Sequence, residues 1–186
     1  MYLIPGKVYD DFVKKRLDKD SASAILISLI ENSKREFNRV ESINILSQIG
    51  LKNLEIFKFL ENLLVSDECE RIRIAAFDAL KHNFKLKAII PVKYAIYKEK
   101  ERFFLIKLID FLAQIDPFSC REVLINKINE IDELTKKTMF YGYKISNMSL
   151  NKLKEKYFDY LFLQSLDTLY FHRHKIPFAV DLFYID

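Results

Sequence analysis

The sequence predicts an all-α protein made of paired helices, and three observations support this fold class. Hydrophobic residues make up 50% of the 186 positions, so the chain can bury a substantial core. Only 3 Gly and 4 Pro are present, which is too few for a turn-dense β-sandwich or a glycine-rich phosphate loop. Apolar residues recur at steps of three and four along most of the chain, as they do on one face of a helix.

Short polar breaks divide the first 131 residues into four consecutive pairs of predicted helices. The pairs are 8–17 with 21–31, 39–46 with 54–65, 73–80 with 89–97, and 105–112 with 119–131. Residues that favour helix ends lie in the breaks, since Ser21 and Asp67 are N-cap types and Gly50 is a C-cap type. Pro117 cannot continue a helix, so we expect a new helix to begin there.

The first helices of successive pairs resemble one another. Segments 39–46 and 73–80 both begin with Arg and a branched apolar residue, and both end in Leu, 34 residues apart. Segment 105–112 ends in Leu 32 residues further on, but it carries Leu105 where the other two carry Arg. A fixed spacing of this size indicates an array of repeated helical hairpins.

The predicted helices are too apolar to stand alone. Within 54–64, the polar residues are Glu55, Lys58, Glu61 and Asn62. A single hairpin cannot cover so wide an apolar surface, and a fully buried Leu, Ile or Phe side chain stabilises by about 1.5–3 kcal/mol. We therefore expect each hairpin to be sandwiched between its neighbours, as in stacked repeats.

The segments that begin with Arg39-Val40 and Arg73-Ile74 resemble the first helix of a HEAT repeat, and Ile89-Ile90-Pro91 resembles the start of the second. The resemblance covers about residues 8–131, although Leu105 departs from the motif. It implies an α-α superhelix of about four HEAT-like hairpins within a domain of residues 1–131. HEAT-like arrays serve many roles, so the resemblance implies little about function.

Residues 132–186 are predicted to form a second, capping region. Helices are expected at 131–141 and 149–166. The segments 169–174 and 178–185 are rich in aromatic and branched residues and flank Lys175-Ile176-Pro177, which predicts a short β-hairpin. An unpaired edge of this hairpin would allow self-association.

Charge and cysteine content exclude several classes of protein. The net charge of +4 arises from 30 basic and 26 acidic residues spread along the chain, not from a basic stripe. Cys69 and Cys120 belong to no CxxC pair, which indicates a reducing compartment. No apolar run approaches the ~18 residues of a membrane span. We expect a cytoplasmic protein without a membrane span.

Residue types that carry catalysis or bind metals do not form a convincing pattern. On a strand, His172 and His174 would share one face, but a metal site needs further ligands, and only Asp181 or Asp186 lies near in sequence. No nucleophile has a base at a spacing that requires catalysis. We therefore expect no metal, no cofactor and no enzymatic activity.

The predicted function is a non-catalytic scaffold that binds a partner protein or peptide on the concave face of the array. The second helix of each hairpin should line this face. A mixed polar and aromatic lining suits an acidic peptide or helix, with Tyr97 as an anchor. The predicted binding residues are Lys58, Asn62, Lys93, Tyr97, Arg121 and Asn126.

Nucleic acid is the alternative partner. Some HEAT-like proteins, the alkylpurine DNA glycosylases among them, hold DNA in a concave groove. A groove of that kind would combine basic side chains with aromatic rings that stack on bases. The residues of this type are Lys93, Tyr94, Tyr97, Lys98, Lys100 and Arg102. The small net charge and the absence of Trp favour the protein partner.

Overall fold

The computed structural model describes the backbone of residues 4–135, 145 and 147–174, and side chains at 4–131, 145 and 147–162. All regular secondary structure in these ranges is helical, which confirms the all-α class. The helices are α1 Pro5–Val13, α2 Lys19–Asn32, α3 Glu36–Ile49, α4 Leu54–Ser66, α5 Glu70–Phe84, α6 Ile89–Lys98, α7 Arg102–Ile115, α8 Pro117–Thr135 and α9 Leu150–His174. Each of the four predicted pairs corresponds to an observed pair.

Local sequence determines where several helices begin and end. The Asp18 carboxylate accepts a hydrogen bond from the Ser21 backbone N–H at 2.7 Å, so Asp18, and not Ser21, is the N-cap of α2. This hydrogen bond lowers the pKa of Asp18. Asn53 caps α4 by accepting from the Ile56 backbone N–H at 2.8 Å. Gly50 ends α3 in the left-handed region, with φ of +69°, which confirms the predicted C-cap.

The chain divides into two compact units, Met1–Ser119 and Cys120–Asp186, and the boundary falls within α8. In the first unit, helices that are adjacent in sequence pack against each other, as α2 does on α3 and α4 on α5. Alternate helices also pack together: α1 contacts α3, α3 contacts α5, and α4 contacts α6. The division of domains at residue 131 stays a prediction.

Buried apolar positions recur at the spacing of the hairpins. Leucines 34 and then 32 residues apart are buried in the first helices of successive pairs, and apolar residues at the same two spacings are buried in the second helices. These positions are Leu46, Leu80 and Leu112 in one series and Leu26, Leu60 and Val92 in the other. The core of the first unit is thus built from equivalent positions of successive hairpins.

Phe77 lies at the centre of the contact between α5 and α7. Its ring centroid is 5.9 Å from that of Phe104 and 5.4 Å from that of Phe111, both in edge-on arrangements that aromatic rings prefer. All three rings are buried. The cluster therefore couples the third hairpin to the fourth within the first unit.

In the second unit, the start of α8 and the start of α9 are joined by a polar contact. The Arg121 guanidinium donates to the Met148 backbone carbonyl. Leu153 and Tyr157 of α9 are buried. Burial, together with the negative charge of Glu130, raises the pKa of Tyr157 to about 12.

The structure differs from the sequence prediction at the predicted C-terminal hairpin. Residues 169–174, predicted as its first strand, continue α9 as helix, so this strand is wrong. The physical reason is that no Gly or Pro occurs between Leu150 and His174 to stop the helix. The predicted second strand, 178–185, lies outside the described residues. Among the described helices, none combines the length and apolarity that a membrane crossing requires.

Candidate functional site

A surface groove lies between α4 and α6 in the first unit, and we call it the α4–α6 groove. It has a volume of about 450 Å³. Its principal lining residues are Lys58, Glu61, Asn62 and Val65 of α4, and Ile90 and Tyr94 of α6. The groove therefore combines basic, acidic, amide, aliphatic and aromatic side chains over two neighbouring helices.

The helical period places these side chains together. Positions 58, 61, 62 and 65 are spaced by three and four residues, so they occupy one face of α4. The opposite face is the buried stripe formed by Ile56, Leu60, Leu63 and Leu64. On α6, Ile90 and Tyr94 are four residues apart and share a face, while Val92 and Ile96 are buried.

The chemistry of the groove suits an amphipathic ligand. Ile90 is 75% exposed and Tyr94 is 50% exposed, so two large side chains are available for contact. The Lys98 ammonium lies 4.6 Å from the centre of the Tyr94 ring, a cation–π distance. Lys58 is exposed on the facing helix, and Glu61 is the acidic residue of the lining. Exposed apolar side chains beside two lysines favour a ligand with an apolar face and acidic flanks.

The structure brings together part of the predicted binding set. Lys58 and Asn62 line the groove. Lys93 and Tyr97 are on other faces of α6, and the Lys93 ammonium is 3.4 Å from the Ser119 hydroxyl. Arg121 belongs to the second unit, where it binds Met148, and Asn126 lies in the same unit. The binding roles of Lys93, Tyr97, Arg121 and Asn126 stay predictions.

Sequence reasoning missed Ile90 altogether and assigned Tyr94 to the nucleic-acid alternative. The repeat itself contained the necessary information. Lys58 and Asn62 are each 32 residues before Ile90 and Tyr94, the same spacing that separates Leu80 from Leu112 in the first helices. Carrying the α4 face forward by one repeat identifies the α6 face that lies beside it.

A second polar cluster surrounds the turns that follow α4 and α6, at the far end of both helices. Arg73 of α5 forms a two-pronged ion pair with Glu99, with nitrogen–oxygen distances of 2.9 and 3.0 Å. The same guanidinium donates to the backbone carbonyls of Asp67 at 3.1 Å and Glu68 at 3.0 Å. The hydrogen bonds to Glu99 raise the pKa of Arg73 above its ordinary value.

Arg39 repeats this arrangement one hairpin earlier. It donates to the Ile30 backbone carbonyl at 2.7 Å and pairs with the Asp67 carboxylate. The two arginines that mark the sequence repeat thus each bind the end of the preceding second helix and an acidic residue at the end of the next. A cavity of about 320 Å³ lies beside Arg73 and Glu99. Because the charged groups of this cluster bind one another and the backbone, we assign it a structural role.

No metal site is found where side chains are described, since no three His, Cys, Asp or Glu residues there lie close enough to hold an ion. The histidines considered as ligands, His172 and His174, lie in α9 and not on a strand, and their side chains are outside the described part. Comparison with protein-family models, curated proteins and solved structures found no match to this chain. The functional argument therefore rests on the geometry of the groove.

Proposed function

We propose that this chain is a non-catalytic, HEAT-like helical scaffold that binds a partner protein through the α4–α6 groove. Three observations support the HEAT-like arrangement: paired helices, contacts between alternate helices, and buried positions at spacings of 34 and 32 residues. Stacked hairpins of this kind present the second helices side by side, and extended partners bind along such surfaces. A cytoplasmic location stays a prediction.

The observation that carries the proposal is the exposure of Ile90 and Tyr94 between Lys58 and Lys98. Large apolar and aromatic side chains that are exposed beside polar neighbours typically form the centre of a protein interface. The two lysines favour an acidic partner and would increase its rate of association. The partner segment that fits is therefore an amphipathic peptide or helix with acidic residues flanking an apolar face.

Photo-crosslinking tests this proposal directly. Tyr94 is replaced with a photoreactive phenylalanine analogue, and the protein crosslinked in cells is identified by mass spectrometry. The same analogue at Phe103, which is exposed on α7, is the control. We expect a specific adduct from position 94 only, with the crosslink on an acidic amphipathic segment of the partner. Equal adducts from both positions would contradict the proposal.

Affinity measurements with the identified segment complete the test. The double variant Lys58→Glu/Tyr94→Ala should bind the segment at least about tenfold more weakly, because it removes an anchor and reverses a steering charge. The matched control is Lys107→Glu, a charge reversal at an exposed position of α7. Unchanged affinity in the double variant would remove the groove from consideration.

Nucleic acid remains the alternative ligand of the same surface. Lys98 already lies over the Tyr94 ring, so a base that stacks on this face would have to displace the ammonium. Binding of fluorescent single-stranded and duplex DNA is measured at increasing salt. Tight binding that falls steeply with salt would favour this alternative. Binding too weak to saturate would favour the protein partner.

A further inference from the structure

Three large apolar side chains recur at the same position of successive hairpins and are strongly exposed. Leu54, Leu86 and Phe118 are each 32 residues apart. Their exposed fractions are 63%, 70% and 80%, respectively. Two residues after Leu54 and Leu86, the chain places Ile56 and Ala88 in the core. The exposed residues therefore lie at a defined boundary between the core and the solvent.

The three residues belong to one edge of the first unit, which we call the turn edge. Leu54 and Phe118 lie in the first turns of α4 and α8, and Leu86 lies in the turn that precedes α6. The helix α4 packs on α6, and the 3.4 Å contact between Lys93 and Ser119 brings the first turn of α8 to α6. Packed helices are about 8–10 Å apart, so the three side chains form a row with roughly that spacing.

Basic residues surround this row. Lys52, Lys81, Lys85 and Lys87 are all exposed, and none of them forms an ion pair within the described part of the chain. The nearest acidic residues in sequence are Glu55 and Asp116. The Asp116 carboxylate accepts a hydrogen bond from the Ser119 backbone N–H at 3.0 Å, so it already caps α8. The turn edge is therefore apolar at its tips and positively charged around them.

We propose that the turn edge docks on an anionic lipid surface. Side chains at the tips of turns can enter the boundary between headgroups and acyl chains without any change in the helices. The lysines beside them would then contact lipid phosphates and carboxylates. An anionic bilayer supplies both chemistries across the whole row. A protein partner would instead need a matching row of pockets, whereas the α4–α6 groove offers such a partner a concave site.

Flotation with lipid vesicles tests this proposal on the full chain. The probes are vesicles of phosphatidylcholine alone and of phosphatidylcholine with about one third phosphatidylserine. We expect flotation with the anionic vesicles only, and we expect it to decrease as salt is added. Absence of binding to anionic vesicles, or equal binding to neutral ones, would overturn the proposal.

Matched variants locate the binding surface. Leu54→Ser/Leu86→Ser/Phe118→Ser should reduce the fraction of bound protein at least about tenfold, because it removes the apolar contacts. The control is Phe37→Ser/Phe103→Ser, which removes two comparably exposed rings, one near the start of α3 and one near the start of α7. These should bind as the original chain does. Equal loss in the two sets would overturn the proposal.

Charge provides a second, independent readout. Lys85→Glu/Lys87→Glu should abolish flotation with anionic vesicles, and both positions are exposed, so the helical circular dichroism should not change. Retained flotation in this variant would contradict the lipid assignment. A soluble acidic peptide that binds the turn edge more tightly than the vesicles do would also contradict it, by identifying a protein occupant.

Discussion

Replacing Arg73 with leucine tests how the hairpins are held together. Leucine is the residue that the next repeat carries at the equivalent position, Leu105, so the change is compatible with a helix of this kind. Arg73 is 16% exposed at its side chain and Glu99 only 4%, so the pair is largely shielded from water. The substitution removes the partner of a buried carboxylate and two hydrogen bonds to the turn after α4.

The expected cost follows from these contacts. Removing one partner of a buried ion pair typically destabilises a protein by about 3–5 kcal/mol, since the other charge is left uncompensated. Glu99 keeps two acceptor contacts, to the Lys100 and Glu101 backbone N–H groups at 2.9 Å, which limits the loss. We therefore expect Arg73→Leu to lower the free energy of unfolding by about 3 kcal/mol.

Urea unfolding followed by circular dichroism measures this cost, and two further variants interpret it. Arg71→Ala removes an arginine that is 79% exposed and pairs with Glu36 at 3.1 Å, so it should cost less than about 1 kcal/mol. The double variant Arg73→Leu/Glu99→Gln removes the buried charge as well. It should be more stable than Arg73→Leu alone, because an unpaired buried carboxylate is the main source of the loss.

Two results would refute this reasoning. If Arg73→Leu costs no more than Arg71→Ala, the Arg73–Glu99 pair is not shielded as the structure indicates. If the double variant is less stable than the single variant, then the Glu99 charge stabilises the turn after α6 even without its arginine, and the lost energy has another origin.

Three further predictions concern the core, a helix end and pH. Phe77→Ala should lower the free energy of unfolding by about 3–5 kcal/mol, measured by urea unfolding, because it removes the ring that packs on Phe104 and Phe111; a cost below about 1 kcal/mol would contradict the cluster. Gly50→Ala should lower it by about 1 kcal/mol, since φ is +69° there, and no change in the urea midpoint would contradict a left-handed C-cap. Because the pKa of Tyr157 is raised to about 12, the unfolded chain ionises first, so stability is complete below about pH 10 and is lost as the pH rises towards about 12. Tyr157→Phe should reduce this loss by up to about 3 kcal/mol, and an identical pH profile of unfolding in both proteins would contradict the buried phenol.

The hairpin array could be predicted from the sequence because its signals are local and repeated. Three- and four-residue apolar spacing, cap residues such as Gly50, and the Arg39 and Arg73 register all act over short distances. Each predicted helix before residue 131 corresponds to an observed helix, although α1 ends at Val13 and not at Leu17. The all-α class followed directly.

The groove and the C-terminal region were harder to predict, for physical reasons. Which face of α6 lies beside α4 depends on how two helices pack, and this selected Ile90 and Tyr94 as lining residues, not Tyr97. At 169–174, aromatic and branched residues fit either a strand or a helix, and the helix that begins at Leu150 continues through them. Long-range packing and helix continuity decided both points, and neither is encoded in short residue patterns.

The central claim is that equivalent positions of successive hairpins lie side by side, since both the groove and the turn edge depend on it. Spin labels at Leu54→Cys and Leu86→Cys, in a chain with Cys69→Ser and Cys120→Ala, measure this by the dipolar broadening of the electron paramagnetic resonance spectrum. Neighbouring packed helices place the labelled positions about 10 Å apart, so strong broadening is predicted. A spectrum equal to the sum of the two singly labelled spectra would contradict the stacked arrangement.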